Sequence, residues 1–106
     1  ARFYRELLTW TRDALPAVRF VLLDPFVCPH VSGRDAFVPE LIERRKVVAE
    51  LAKEFNAVHI PLQDIFNEAF KRAPEAHWSA DGVHPTPAGH QLITDAWLKA
   101  TPQLFR

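Results

Sequence analysis

The chain of 106 residues contains no methionine, a single cysteine, three glycines and no excess of either charge, with thirteen Lys and Arg against thirteen Asp and Glu. Each shortage excludes something. Cys28 alone cannot close an internal disulfide, so a disulfide-stapled secreted scaffold is ruled out. Zero formal charge and a pI near 7.2 leave no electrostatic footprint for nucleic acid or an anionic membrane. No apolar run approaches the ~20 residues that span a bilayer, and no signal-peptide pattern opens the chain, so the expected compartment is the cytoplasm. Because a native chain begins with Met unless it is processed, Ala1 is expected to be a processed terminus or a cut.

What is present is ordinary globular composition, 48% hydrophobic and 25% charged. A chain of this size buries roughly 65% of its unfolded surface, enough for one core. Phe3, Leu7, Trp10 and Ala14 recur at helical steps and predict a helix over 2–15, stopped by Pro16. Residues 18–23, Val-Arg-Phe-Val-Leu-Leu, are nearly continuous in apolar side chains, the pattern of a strand covered on both faces. Asp24-Pro25 ends it, and a loop is expected to residue 37. A helix over 39–55 buries Leu41, Val48, Leu51, Ala52 and Phe55 and solvates its charged face. Ala57 to Ile60 predicts a short strand closed by Pro61. Leu62, Ile65, Phe66, Ala69 and Phe70 then mark a third helix. A polar loop follows over 74–85. The last helix begins with Thr86 as N-cap and Pro87 at its first position.

Helices alternating with two buried strands predict an α/β fold with a parallel sheet. Two strands alone are fewer than a covered parallel sheet normally has, and the helix at the front has no strand before it.

The chemistry-bearing residues concentrate in His77-Trp78-Ser79-Ala80-Asp81-Gly82-Val83-His84-Pro85-Thr86-Pro87-Ala88-Gly89-His90. Asp81 and His84 stand three apart, close enough in a turn for a carboxylate to meet an imidazole. A carboxylate on one ring nitrogen sets the tautomer and stabilises the imidazolium, freeing the other nitrogen to take a proton from a nucleophile. As a bare pair, the same spacing equally fits a helix-capping Asp beside a surface His.

The segment from Asp81 to His90, followed by an apolar helix, closely resembles the last conserved block of the SGNH/GDSL hydrolases. The stretches Leu23-Asp24-Pro25-Phe26 and Ala57 to Leu62 are similar in order to segments upstream of that block. The resemblance implies a flavodoxin-like three-layer α/β sandwich with a parallel sheet, of which residues 1–106 are the C-terminal half with its last two strands. It also implies hydrolysis of acyl or acetyl esters by a Ser-His-Asp triad, His84 being the general base and Asp81 the orienting acid, with no metal and no organic cofactor. The family's Gly-Asp-Ser block and its oxyanion-hole blocks have no counterpart here, and Ser32 and Ser79 lack that context. A base without its nucleophile is expected to be inert alone.

The substrate implied is a small acyl ester, including acetyl groups on carbohydrate. Trp78, Val83 and His30 are candidate substrate contacts, although packing over the loop suits Trp78 better. A metal site of Asp81, His84 and His90 lacks Cys or Glu-x-x-His support. His90 suits a helix surface, and His59 a core or edge position. Cys28, between Val27 and Pro29, suits a buried small hydrophobe. The edge of the first strand is expected to be unpaired, so that the chain pairs with an N-terminal companion segment or with itself. The competing reading is a binding or interaction domain of the same fold without catalysis.

Overall fold

The computed structural model describes residues 2–105; Ala1, on which the expectation of a cut terminus falls, lies outside them. Helix α1 (Arg2–Ala14) leads into strand β1 (Val21–Leu23), then helix α2 (Val38–Glu54) and strand β2 (Val58–Ile60). Helix α3 (Leu62–Ala69), the four-residue helix α4 (Glu75–Trp78) and helix α5 (Pro87–Ala100) complete the order, with short 3-10 turns at Arg34–Phe37 and Pro102–Phe105.

The strands pair in parallel, Val21 opposite Val58, Leu22 opposite His59 and Leu23 opposite Ile60. Side chains alternate across the sheet. Leu22 therefore packs with Leu8 of α1 and Val48, Leu51 and Ala52 of α2 on one face. Val21, Leu23, Val58 and Ile60 point the other way, into a core with Leu62, Phe66 and Ala69 of α3, Trp78 and the apolar stripe of α5. Phe26 stacks flat on Phe66 at 4.1 Å between centroids. The sheet thus carries helices on both faces, as a parallel sheet must.

Two local expectations are corrected. The first strand is shorter than 18–23, because Val18 to Phe20 run outside the ladder; the Phe20 carbonyl still accepts from Val58 N–H at 2.9 Å. The loop over 74–85 contains α4, a single turn too short for periodicity to show. Helix α1 forms as expected. The stripe that identified it as a helix faces outward, with Phe3, Leu7 and Trp10 exposed by 79%, 58% and 66%, while Leu8, off the stripe, is the buried residue. Helical period revealed the element without revealing which neighbour each face meets.

Candidate active site

Asp81 and His84 lie on the turn between α4 and α5. Backbone chemistry shapes that turn before any side chain acts. Gly82 has φ +93°, and a Cβ there would meet the Val31 carbonyl oxygen at 2.8 Å and the Arg34 side chain at 2.5 Å, so only glycine fits. Its carbonyl accepts from Cys28 N–H at 2.8 Å, which ties the turn to the loop after β1. Thr86 caps α5, its hydroxyl accepting from Gly89 N–H and donating to the His77 carbonyl at 2.7 Å. Gly89 lets the helix approach Trp78 closely; a Cβ there would lie 2.3 Å from the Trp78 carbonyl oxygen.

Within this frame Asp81 folds back on its own turn. One oxygen, Oδ1, accepts from the backbone N–H groups of Val83 at 3.0 Å and His84 at 2.8 Å. The other, Oδ2, lies 2.5 Å from His84 Nδ1. These bonds, that of the imidazole first, hold the Asp81 carboxyl well below its usual range, so it is ionised at any working pH. An ionised carboxylate only accepts, so Nδ1 carries the proton and Nε2 keeps its lone pair. The His84 side chain is 83% exposed. A base must present a free, reachable nitrogen in one orientation, and this geometry meets that requirement.

The other candidates are dispersed. Val83 lines a cavity of about 290 Å³ with Phe26, Val27, Phe37, Leu41 and the Glu40–Arg44 ion pair. His30 points into solvent and is held by Glu75, which accepts from its backbone N–H at 3.0 Å and contacts Nδ1 at 2.7 Å. Glu75 raises the His30 pKa by that hydrogen bond and its charge. Trp78 is buried, with Arg72 over its ring and its indole N–H donating to the Ala73 carbonyl. These contacts give Trp78 a packing role over the loop. His77 lies edge-on to that ring, and His90 is exposed on α5. Cys28 is fully buried, and burial pushes its thiol up to about 11, an unreactive state. Among the described residues no three His, Cys, Asp or Glu side chains converge as metal ligands do.

Two features escaped the reading of the sequence. Ser79, fully buried, donates its hydroxyl to the His84 carbonyl at 2.8 Å and accepts from Gly82 N–H at 2.8 Å. Arg34 donates from Nε to the Asp81 carbonyl at 2.9 Å. The only local signal for Ser79 was a small polar residue two positions before Asp81. Arg34 gave none, being 47 residues away.

A helix-covered parallel sheet with a carboxylate–imidazole turn at one end defines the protein as an α/β fold. The model of the GDSL-like Lipase/Acylhydrolase family matches residues 1–92, and the chain belongs to that family. It is 29% identical over 97 residues to the acetylxylan esterase of Geobacillus stearothermophilus, covering 90% of this chain and 42% of that enzyme. A solved structure of the same enzyme superposes with a TM-score of 0.78 at 29% identity, over 93% of this chain and 44% of that one. A GDSL-like lipase from Parabacteroides merdae superposes with a TM-score of 0.88 at 38% identity, over 92% of this chain and 46% of that one. The chain therefore spans under half the length of these relatives. Solved forms of the Geobacillus enzyme include catalytic mutants at a serine and at a histidine.

Proposed function

We propose that this chain supplies the base and the orienting acid of a Ser-His-Asp ester hydrolase and forms the C-terminal half of its domain. The observation that carries the reading is the 2.5 Å bond between His84 Nδ1 and an Asp81 carboxyl held well below its usual range, which leaves Nε2 free. In the reaction, Nε2 accepts the proton of a serine hydroxyl as its oxygen attacks the ester carbonyl. The imidazolium, stabilised by Asp81, then returns that proton to the departing alcohol. Water, activated by the same nitrogen, releases the acyl group from the serine. The histidine and serine mutants of the Geobacillus enzyme accord with this division of labour.

The serine comes from outside these residues. Among the described residues no serine hydroxyl bonds to the His84 ring, and Ser79 turns its own to a backbone carbonyl. The exposed Phe3–Leu7–Trp10 face and the unpaired edge of β1 suit the N-terminal half of the same domain. The flat shape, 42 × 32 × 17 Å with a radius of gyration of 15.0 Å against about 13 Å for a compact chain of this length, accords with one part of a larger body. The substrate is a small acyl ester, with acetyl groups on carbohydrate the first candidates because the Geobacillus relative is an acetylxylan esterase. Val83 and the cavity beside it form its wall on this side. No helix of the described chain is long and apolar enough to cross a membrane.

The experiment is ester hydrolysis by the protein carrying both halves, assayed on acetylated xylo-oligosaccharide and on a chromogenic acetate. His84→Ala is expected to lower kcat/KM about 10⁴-fold. Unchanged turnover would remove the mechanism, whereas no hydrolysis by the unsubstituted protein would leave the alternative, a binding module of the same fold without catalysis.

A further inference from the structure

We propose that Ser79 is a positioning residue of this site: its buried hydroxyl, not packing around the imidazole, fixes where His84 presents its free nitrogen. This rests on reading Asp81 and His84 as the dyad.

The argument starts from exposure. With 83% of its side chain in water, the His84 ring has little packing to hold it. Its direction depends on the Nδ1 bond to Asp81 and on the backbone from which both residues spring. The Asp81 carboxylate binds the N–H groups of residues 83 and 84, which closes the turn on itself but does not fasten it to the fold. Ser79 does fasten it. The residue is 0% exposed, pairs with Pro85 in an isolated antiparallel bridge, and donates its N–H to the Glu75 carbonyl at 3.1 Å. One oxygen, Oγ, then takes the Gly82 N–H and gives its hydrogen to the His84 carbonyl, each at 2.8 Å. Asp81 Oδ1 lies farther from Oγ, at 3.4 Å, so the single hydroxyl hydrogen goes to the carbonyl.

Both ends of the catalytic turn thus meet at one buried atom at the end of α4. Removing that atom strands the Gly82 N–H and the His84 carbonyl, and the turn must shift to recover partners. A displacement near 1 Å at a reacting group costs on the order of a hundredfold in rate. The same burial makes Ser79 unsuited to be the nucleophile, since its oxygen faces a peptide carbonyl and not the ring.

The test uses the protein carrying both halves of the domain. Ser79→Ala is expected to lower kcat about 30- to 100-fold with KM within about twofold. Ser79→Cys fills the same space without a strong donor and is expected to behave alike; it carries the test if the alanine variant fails to fold. Val48→Ala, in the α2 core, serves as the control, losing thermal stability while keeping kcat. If His84→Ala is inactive but both Ser79 variants keep the wild-type kcat, the positioning role is overturned while the hydrolase reading stands. Equal kcat losses in Val48→Ala would likewise overturn it by assigning the effect to stability. An active His84→Ala protein would overturn the dyad reading itself.

Discussion

Asp81 meets His84 at 2.5 Å and Asp24 meets His59 at 2.6 Å, but the two pairs sit in opposite surroundings. Asp24 closes β1 and is only 2% exposed; it also accepts from Arg45 of α2 at 3.3 Å, and Arg45 reaches on to Asp64 of α3 at 2.9 Å. That carboxylate is shared among strand, helix and imidazole, so it ties the sheet to its neighbours. Asp81 gives one whole oxygen to a single imidazole that stands in solvent. The same bond braces the fold in one place and, in the proposed function, prepares a base in the other. What separates them is exposure: the His59 and Asp24 side chains are 30% and 2% exposed, those of His84 and Asp81 83% and 43%.

Substitution at each pair breaks the comparison in a different currency. Asp81→Asn, in the protein carrying both halves, is expected to cut kcat about 10³-fold, because an amide no longer dictates the Nδ1–H tautomer. Steady-state kinetics with circular dichroism checks this, the fold remaining intact. Asp24→Asn is expected to leave kcat per folded molecule within about twofold and to cost about 2 kcal/mol in urea unfolding, the worth of hydrogen bonds to a buried charge. The Asp81 pKa lies below its ordinary 3.8, so the stability this carboxylate adds is complete above that value and fades as pH falls through the lowered one. Acid titration of Asp81→Asn should lack that component.

His30 and Glu75 sharpen the contrast as a third carboxylate–imidazole pair, its imidazole 80% exposed and its carboxylate 19%. The His30 pKa is raised above 6.5, so its stabilising bond is complete below that value and is lost as pH rises through the folded one. In Glu75→Gln the His30 titration midpoint, followed by proton NMR, should fall back toward 6.5, with little change in overall stability. The smallest effect is expected on α1. Leu7→Ser and Trp10→Ser should change the unfolding free energy of this chain by no more than about 0.5 kcal/mol, since both side chains are exposed. The same variants should weaken capture of a separately expressed N-terminal half in a pull-down.

The contrast also explains what could be read from the residues alone. Asp81 and His84 are three apart on a proline-bracketed turn, so their meeting is a local event that spacing expresses. Asp24 and His59 stand 35 apart and meet only because β1 and β2 pair in one register. His59 was accordingly legible as a strand residue, without its partner. Glu75, Arg34 and Ser79 were hidden for the same reason or a subtler one: each bonds to backbone groups, which no side-chain pattern records. The helices α2, α3 and α5 emerged from their stripes because those stripes are buried. On α1 the stripe is real but bare, and hydrophobic period cannot distinguish a face already covered from one awaiting cover.

The account is tested most directly by comparing His84→Ala with His59→Ala in the protein carrying both halves, measuring kcat/KM for a chromogenic acetate per folded molecule. The prediction is a loss of about 10⁴-fold for His84→Ala and a change within about twofold for His59→Ala. Comparable losses in the two, or turnover surviving in His84→Ala, would contradict the claim that only the solvent-facing imidazole is the base.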